Sequence, residues 1–228
     1  MEELLYEACR AIQEVIKNSE YENKVYIKGG FLRNLLLDKD TFNDIDVAVA
    51  IDGGEIGFSK RMCDWYKCRS IYNPFVEKSQ GTSLFTLFTH PLLNNVRFDV
   101  KTLCGLNIEK DVEEVIDFTC NGVYLNVNST NIIDVTGKGF NDIENKLLRM
   151  VHKNIFKKSP VRIVRALRFM SELGLVFETE TKKQFLEDYK LIYNVKKDWV
   201  VKELEKITGV FEDDDINNVL EEIRKTFS

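Results

Sequence analysis

Two aspartates that alternate with apolar residues place the strongest constraint on how this chain can fold. In the segment DIDVAVA, residues 44–50, Ile45 separates Asp44 from Asp46, and Val47 and Val49 continue the alternation. Successive side chains of a β-strand point to opposite faces, so both carboxylates are expected on one face while the apolar side chains point into a core. Two like charges on a half-buried face are costly unless a cation balances them. The segment therefore predicts a strand with a cation-binding face.

The type of side chain indicates which cation this face would bind. Carboxylate oxygens without a histidine or thiolate companion are typical ligands of Mg²⁺ or Mn²⁺. A third acid, Asp99, lies in the apolar segment RFDV, which predicts a second strand. If the two strands are neighbours, three carboxylates converge as in sites that hold two metal ions for phosphoryl transfer. We therefore expect Asp44, Asp46 and Asp99 to be metal ligands and catalytic residues of a nucleotidyl transfer.

A glycine pair precedes the acidic strand. Gly29 and Gly30 follow a predicted strand at 24–28 and open a predicted short helix at 31–37. Glycines let the backbone approach a phosphate closely, and N–H groups at a helix start bind anions. Arg33, one turn into the helix, could add a charge-assisted contact. A Walker sequence GxxxxGK[ST] is absent from the chain, which disfavours P-loop chemistry.

Hydrophobic periodicity predicts an α+β fold in which a small mixed or antiparallel sheet forms a head and an all-helical neck follows. The expected domains are a head at 1–135, which contains the three acids, and a helical module at 136–228. Two strands at 84–89 and 96–103 are expected to pair antiparallel. Ser159 and Pro160 are typical of the N-cap and first position of a helix. Predicted helices lie at 2–18, 55–69, 109–116, 118–126, 140–151, 160–173, 180–193, 198–208 and 214–226.

Charge and cysteine spacing exclude some classes of protein. The net charge of −5 argues against general nucleic-acid binding, yet residues 146–168 carry eight Lys or Arg and no acid, which indicates a local anion-binding surface. No segment approaches the roughly 20 apolar residues of a membrane helix, and the acidic start is unlike a signal peptide, so we expect a cytoplasmic protein without a membrane partner. The five cysteines lack CxxC spacing, which argues against structural zinc and favours reduced thiols.

Several segments together resemble the class II CCA-adding enzymes and bacterial poly(A) polymerases of the polymerase β-like nucleotidyltransferase superfamily. They are GGFLRNLLL with DIDVAV, FDVKTL, DFTCNGVYLN, GFNDIENKLLRMV and SPVRIVRALRF, in the order of that family. The resemblance implies that Asp44, Asp46 and Asp99 bind the metal and that Gly29, Gly30 and Arg33 contact the triphosphate. It further implies that Asp117 and Asn121 shape the ribose and phosphate pocket, and that Arg162 and Arg165 face the incoming nucleotide, ATP or CTP. Residues 1–135 would then be the catalytic head and residues 136–228 a helical, nucleotide-recognising neck.

The function implied by the resemblance is transfer of a nucleoside monophosphate from an NTP to an RNA 3′ end, such as that of tRNA, with release of pyrophosphate. The chain departs from the family pattern at Lys158 and Ser159, where an acidic pair is usual, at Val115 and Ile116, where two arginines are usual, and at Asn34, where an aspartate is usual. The chain also ends after the neck-like region, so a partner subunit is expected to supply the RNA-holding region. Two alternatives stay open: a non-RNA acceptor (protein, small molecule or nucleotide), and a catalytically silent nucleotide-binding or RNA-binding relative.

Overall fold

The computed structural model describes residues 1–73, 82–87 and 90–228. The chain divides into two compact units, of which the first comprises Met1–Ile116 and Asn121–Phe140 and the second comprises Asp117–Cys120 and Asn141–Ser228. The expected functional boundary between residues 135 and 136 stays a prediction. Within the described parts of the chain, no helix combines the length and the apolar character that crossing a membrane requires.

The described residues of the first unit form one sheet of seven strands. They are β1 (Val25–Lys28), β2 (Asp44–Val49), β3 (Ser70–Asn73), β4 (Thr82–Leu87), β5 (Val96–Thr102), β6 (Val123–Asn126) and β7 (Ile132–Asp134). Their order across the sheet is β3-β4-β5-β2-β1-β6-β7. The pair β2 and β5 is parallel and the other neighbours are antiparallel. The predicted α+β class and the antiparallel pairing of β4 with β5 are confirmed.

Helices of the first unit cover the apolar face of β2. They are α1 (Glu2–Ile16), α2 (Gly29–Leu36) and α3 (Gly54–Tyr66). A further helix of this unit, α4 (Ile108–Glu114), lies on the side of Lys28 and Asp46 instead. Ile45, Val47 and Val49 are buried in one apolar cluster with Ile12 of α1 and Phe58 of α3. Because side chains alternate along a strand, Asp44 and Asp46 point away from this cluster, as the sequence predicted.

The second unit is mostly helical. Its elements are α5 (Gly139–Glu144, of which the first two residues belong to the first unit), β8 (Leu147–Leu148), α6 (Ile155–Lys158), α7 (Val161–Leu173), β9 (Val176–Phe177), α8 (Thr179–Asp188), α9 (Lys197–Leu204) and α10 (Asp214–Phe227). Strands β8 and β9 pair in parallel, so the prediction of an all-helical neck is wrong in this detail. The helix α7 ends at Gly174, whose φ of 68° is the left-handed conformation that glycine favours, as predicted.

Several predicted elements differ from the observed ones. The predicted helix 118–126 is wrong, because a 3₁₀ turn covers Thr119–Asn121 and the next residues form β6 between β1 and β7. The predicted helix 140–151 ends at Glu144 and gives way to β8. Ser159 is not the N-cap of α7, since it follows the short helix α6 and Pro160 takes the N-cap position. Residues 88 and 89, the last two of the predicted strand 84–89, lie outside the described residues.

Candidate active site

The parallel pairing of β2 with β5 brings the predicted acids together. Asp46 lies opposite Asp99, and Asp44 lies opposite Arg97. Residues that pair across neighbouring strands point to the same face, so Asp44, Asp46 and Asp99 share one face of the sheet. The side chains of Asp44 and Asp99 are 27% and 18% exposed, which leaves the cluster accessible from solvent.

Arg97 bridges two of these acids and was missed by the sequence analysis. Its guanidinium forms an ion pair with Asp44, and its Nε donates to Oδ1 of Asp99 at 2.8 Å. Burial alone would lower the pKa of Arg97, but Asp99 and Asp44 reverse the effect and the pKa is raised overall. In this arrangement no three His, Cys, Asp or Glu side chains among the described residues are set to hold a metal ion. Residues 97 and 99 are two positions apart on one predicted strand, so their side chains point to the same face. This spacing could have indicated that Arg97 lies beside Asp99.

Two carboxylates of this cluster, Asp46 and Asp99, resist ionisation. Burial raises the pKa of Asp46; Lys101 and Lys28 oppose the effect, and Asp44 adds to it. Burial also raises the pKa of Asp99, with a further contribution from Asp44. Among the described residues, the nearby cations therefore do not fully offset the effect of burial on these two acids. A divalent ion that prefers hard oxygen ligands fits this donor set, because it would add the missing positive charge.

The glycine pair lies directly beside the acids. Gly29 has a φ of +76°, and a Cβ atom built on it would lie 2.3 Å from Oδ2 of Asp46. Any other residue at this position would be strained and would collide with the carboxylate. At Gly30 the nearest atom to such a Cβ is Nη2 of Arg33, at an ordinary 3.5 Å. The start of α2 thus presents bare backbone next to the acidic face.

Arg33 is fixed by two amide side chains. Its Nη1 donates to Oδ1 of Asn121 at 2.8 Å, and its Nη2 donates to Oδ1 of Asn34 at 2.8 Å. Asn34 is fixed in turn, because its Nδ2 donates to the carbonyl of Thr41 at 2.6 Å. A hydrogen bond therefore connects Arg33 with Asn121. The two residues belong to separate sequence motifs, and the family resemblance assigned both of them to the nucleotide.

A buried ion pair anchors α4 beside the acidic face. Lys28 is paired with Asp46 across β1 and β2, and its Nζ forms an ion pair with Asp111 of α4. The hydroxyl of Tyr124 donates to Oδ2 of Asp111 at 2.6 Å, and burial together with Asp111 raises the pKa of Tyr124. The N–H of Cys104 donates to the other carboxylate oxygen at 3.0 Å. Sequence analysis missed this group, because nothing in the local pattern relates residues more than 80 positions apart.

The second unit contains the remaining predicted site residues. Oδ2 of Asp117 accepts from Nη2 of Arg165 at 2.9 Å and from its Nε at 3.1 Å. The guanidinium of Arg165 also lies 5.3 Å from the ring centroid of Phe169. Arg162 is only 9% exposed, and burial lowers its pKa although Asp117 opposes this effect. One turn of α7 therefore carries two ordered cationic side chains.

Comparison with known proteins gives a consistent result. Residues 25–149 match the family described as the poly A polymerase head domain. The chain is similar to the CC-adding tRNA nucleotidyltransferase of Halalkalibacterium halodurans, at 32% identity over 185 residues, 81% of this chain and 44% of that protein.

It also resembles a solved structure of a tRNA nucleotidyltransferase in complex with a primer tRNA and an incoming ATP analog, at 26% identity and a TM-score of 0.67, covering 89% of this chain and 57% of that one. A CCA-adding enzyme of Thermotoga maritima, solved in complex with tRNA, shares the fold at 23% identity and a TM-score of 0.74, with 96% of this chain and 50% of that chain covered. The chain spans about half the length of the curated relatives it matches.

Proposed function

Since the chain belongs to the poly(A) polymerase head-domain family, we propose that it transfers a nucleoside monophosphate from an NTP to the 3′ end of an RNA and releases pyrophosphate. The observation that carries this proposal is the register of β2 and β5, which places Asp46 opposite Asp99 with Asp44 on the same face. Three carboxylates that converge on one accessible face are the donor set of metal-assisted phosphoryl transfer. The similar tRNA nucleotidyltransferases favour tRNA as the acceptor.

The acids are proposed to bind a divalent cation, Mg²⁺ or Mn²⁺, with Asp44, Asp46 and Asp99 as its ligands. When bound, such an ion neutralises phosphate charge and activates the attacking oxygen. The backbone at Gly29 and Gly30 is proposed to contact the triphosphate, since it lies bare beside the acids. In the reaction, the 3′-hydroxyl oxygen forms a bond to the α-phosphorus while the bond to the leaving pyrophosphate breaks. A covalent enzyme intermediate is not needed.

Five other side chains are proposed to bind the nucleotide. Arg33, held by Asn34 and Asn121, is oriented for a charge-assisted contact with a phosphate. Asn121 and Asp117 are assigned to the ribose and phosphate pocket, and Arg162 and Arg165 to recognition of ATP or CTP. The bond from Arg165 to Asp117 supports a fixed arrangement of these groups. A partner subunit that supplies an RNA-holding region stays a prediction.

The proposal is tested by incubating the purified chain with each of the four α-³²P-labelled NTPs. Each reaction is run with tRNA that lacks its 3′ CCA, with a mixed protein sample, or without acceptor. Label in tRNA from ATP or CTP, dependent on Mg²⁺ or Mn²⁺, is the expected result. Label in the protein lane or in the lane without acceptor would show that the acceptor is a protein or a nucleotide instead of RNA. Nucleotide binding without pyrophosphate release in any lane would contradict the transferase assignment.

A further inference from the structure

Two cysteines meet at the carboxyl end of α3, in the first unit. Sγ of Cys68 lies 3.0 Å from Sγ of Cys63, so the thiol of one residue donates to the sulfur of the other. A disulfide bond is about 2.0 Å long, so the two sulfurs need to approach by only about 1 Å to become bonded. Free cysteine side chains usually pack as small apolar groups, so a direct contact between two thiols is a distinct arrangement.

The backbone at the helix end holds this contact in place. Lys67 adopts the left-handed conformation, with φ 53° and ψ 40°, and turns the chain back over the last turn of α3. The N–H of Cys68 then donates to the carbonyl of Cys63 at 3.1 Å. Helices that end in this way commonly form an apolar contact between the residue after the left-handed position and a residue in the last turn. Here both of these residues are cysteines, so the helix-ending motif itself sets the distance between the thiols.

The surroundings of the two thiols differ. Cys63 is 7% exposed and Cys68 is half-buried. Burial, together with the hydrogen bond that it shares with Cys68, raises the pKa of the Cys63 thiol to about 12. A thiolate is the attacking species in thiol–disulfide exchange and needs access to its partner. Cys68 is therefore the thiol that an external disulfide can reach.

We propose that Cys63 and Cys68 form a reversible redox site whose reaction partner is a low-molecular-weight disulfide of the glutathione class. The Cys68 thiolate attacks the external disulfide, forms a mixed disulfide and releases one thiol. The sulfur of Cys63 loses its proton and attacks the Cys68 sulfur, which forms the intrachain bond and releases the second thiol. Overall, the protein dithiol is oxidised by two electrons and the external disulfide is reduced to two thiols. The new bond fastens the last turn of α3 to the segment that enters β3.

Tryptic peptides allow a direct test on the full chain. Trypsin cuts after Arg61, Lys67 and Arg69, so the proposed bond joins a peptide of residues 62–67 to the dipeptide of residues 68–69. The native protein is equilibrated with oxidised glutathione, alkylated without reduction, digested and analysed by mass spectrometry. We expect the linked pair, a loss of two hydrogens from the intact mass, and its reversal by dithiothreitol. Cys104→Ser is the matched control, because Cys104 is half-buried like Cys68, and it should leave the linked pair unchanged.

Single variants test the order of attack. In Cys63→Ser the reaction should stop at glutathione bound to Cys68, and in Cys68→Ser glutathione should add at a rate at least tenfold lower. Circular dichroism confirms that each variant is folded before it is oxidised. Separate alkylation of Cys63 and Cys68 in the native protein, or equally fast glutathione addition in both variants, would overturn the proposal. Neither outcome depends on nucleotidyl transfer, so the two proposals fail separately.

Discussion

Oδ2 of Asp46 occupies the space that a side chain on Gly29 would need, since a Cβ atom at Gly29 would lie 2.3 Å away from it. This contact explains why the glycine turn and the acidic strand occur together in the sequence. The turn must be free of side chains for the carboxylate to reach the face on which we place the triphosphate. The two motifs therefore form a single structural unit.

Gly29→Ala should destabilise the protein. The substitution costs about 1–2 kcal/mol for the left-handed backbone alone, and displacement of Asp46 adds to this. The matched control is Gly30→Ala, whose Cβ would make an ordinary 3.5 Å contact, and it should leave stability nearly unchanged or slightly raised. Urea unfolding of both variants measures the difference in the free energy of unfolding. Equal stability of the two variants would show that the turn is not constrained by Asp46.

Asp46→Asn should increase stability in the absence of divalent ions while activity falls. The pKa of Asp46 is raised in the folded protein above its ordinary 3.8. The free energy of unfolding of the native protein therefore decreases as the pH rises from this value through the raised pKa, and the neutral amide removes that decrease. The stability gain of the variant should be larger at pH 7.5 than at pH 4.5, as followed by urea unfolding. A variant that is less stable than the native chain at pH 7.5 would contradict the assignment of Asp46 as an unbalanced carboxylate.

Arg97→Met should strengthen the binding of a divalent ion. The guanidinium forms ion pairs with Asp44 and Asp99, so an ion must compete with it for both carboxylates. We expect Mn²⁺ to bind about tenfold more tightly, which corresponds to about 1.4 kcal/mol. Electron paramagnetic resonance of free Mn²⁺ in the absence of nucleotide measures the affinity. Arg10→Met is the control, because Arg10 is similarly exposed, at 53%, and pairs with Glu7 and Glu14 on α1 instead. Unchanged or weaker binding in Arg97→Met would show that the guanidinium does not compete.

Asp111→Asn should destabilise the first unit by about 3 kcal/mol, because it leaves the ammonium group of Lys28 without its buried counter-charge. Tyr124→Phe removes only a hydrogen bond to the same carboxylate and should cost about 1–2 kcal/mol. Glu113→Gln removes an exposed ion pair with Lys110 on the same helix. It should change the free energy of unfolding by less than about 1 kcal/mol. Thermal unfolding of the three variants gives this order. A smaller loss for Asp111→Asn than for Tyr124→Phe would contradict the role of the buried pair.

The elements around the acids could be predicted from the sequence because local patterns define them. The alternation of Asp44 and Asp46 with Ile45 and Val47 fixes both the strand and the side that each residue faces, and the structure confirms this arrangement. The glycine turn was recognised because few other roles explain a glycine pair between a strand and a helix. Gly174 was a reliable end for α7 for the same conformational reason.

Other features could not be predicted because they depend on distant parts of the chain. The strand β6 pairs with β1 and β7, and three of its four residues are buried, so it lacks the alternation that reveals a strand. The contact of Lys28 with Asp111 arises only when α4 packs near β1. The bridge from Arg97 to Asp44 depends on which strand lies beside β5, a choice that the sequence left open.

The most direct test of the account is the rate of pyrophosphate release by the native chain, Asp44→Asn and Asp52→Asn under identical conditions. ATP or CTP, tRNA lacking its 3′ CCA, and Mg²⁺ are supplied in each reaction. Asp52 is an exposed acid in the segment that follows β2, so Asp52→Asn controls for the loss of one negative charge. We expect Asp44→Asn to lose activity by on the order of 10²-fold or more and Asp52→Asn to retain it. Equal rates for the native chain and Asp44→Asn would contradict the central claim that the acids of β2 and β5 carry the chemistry.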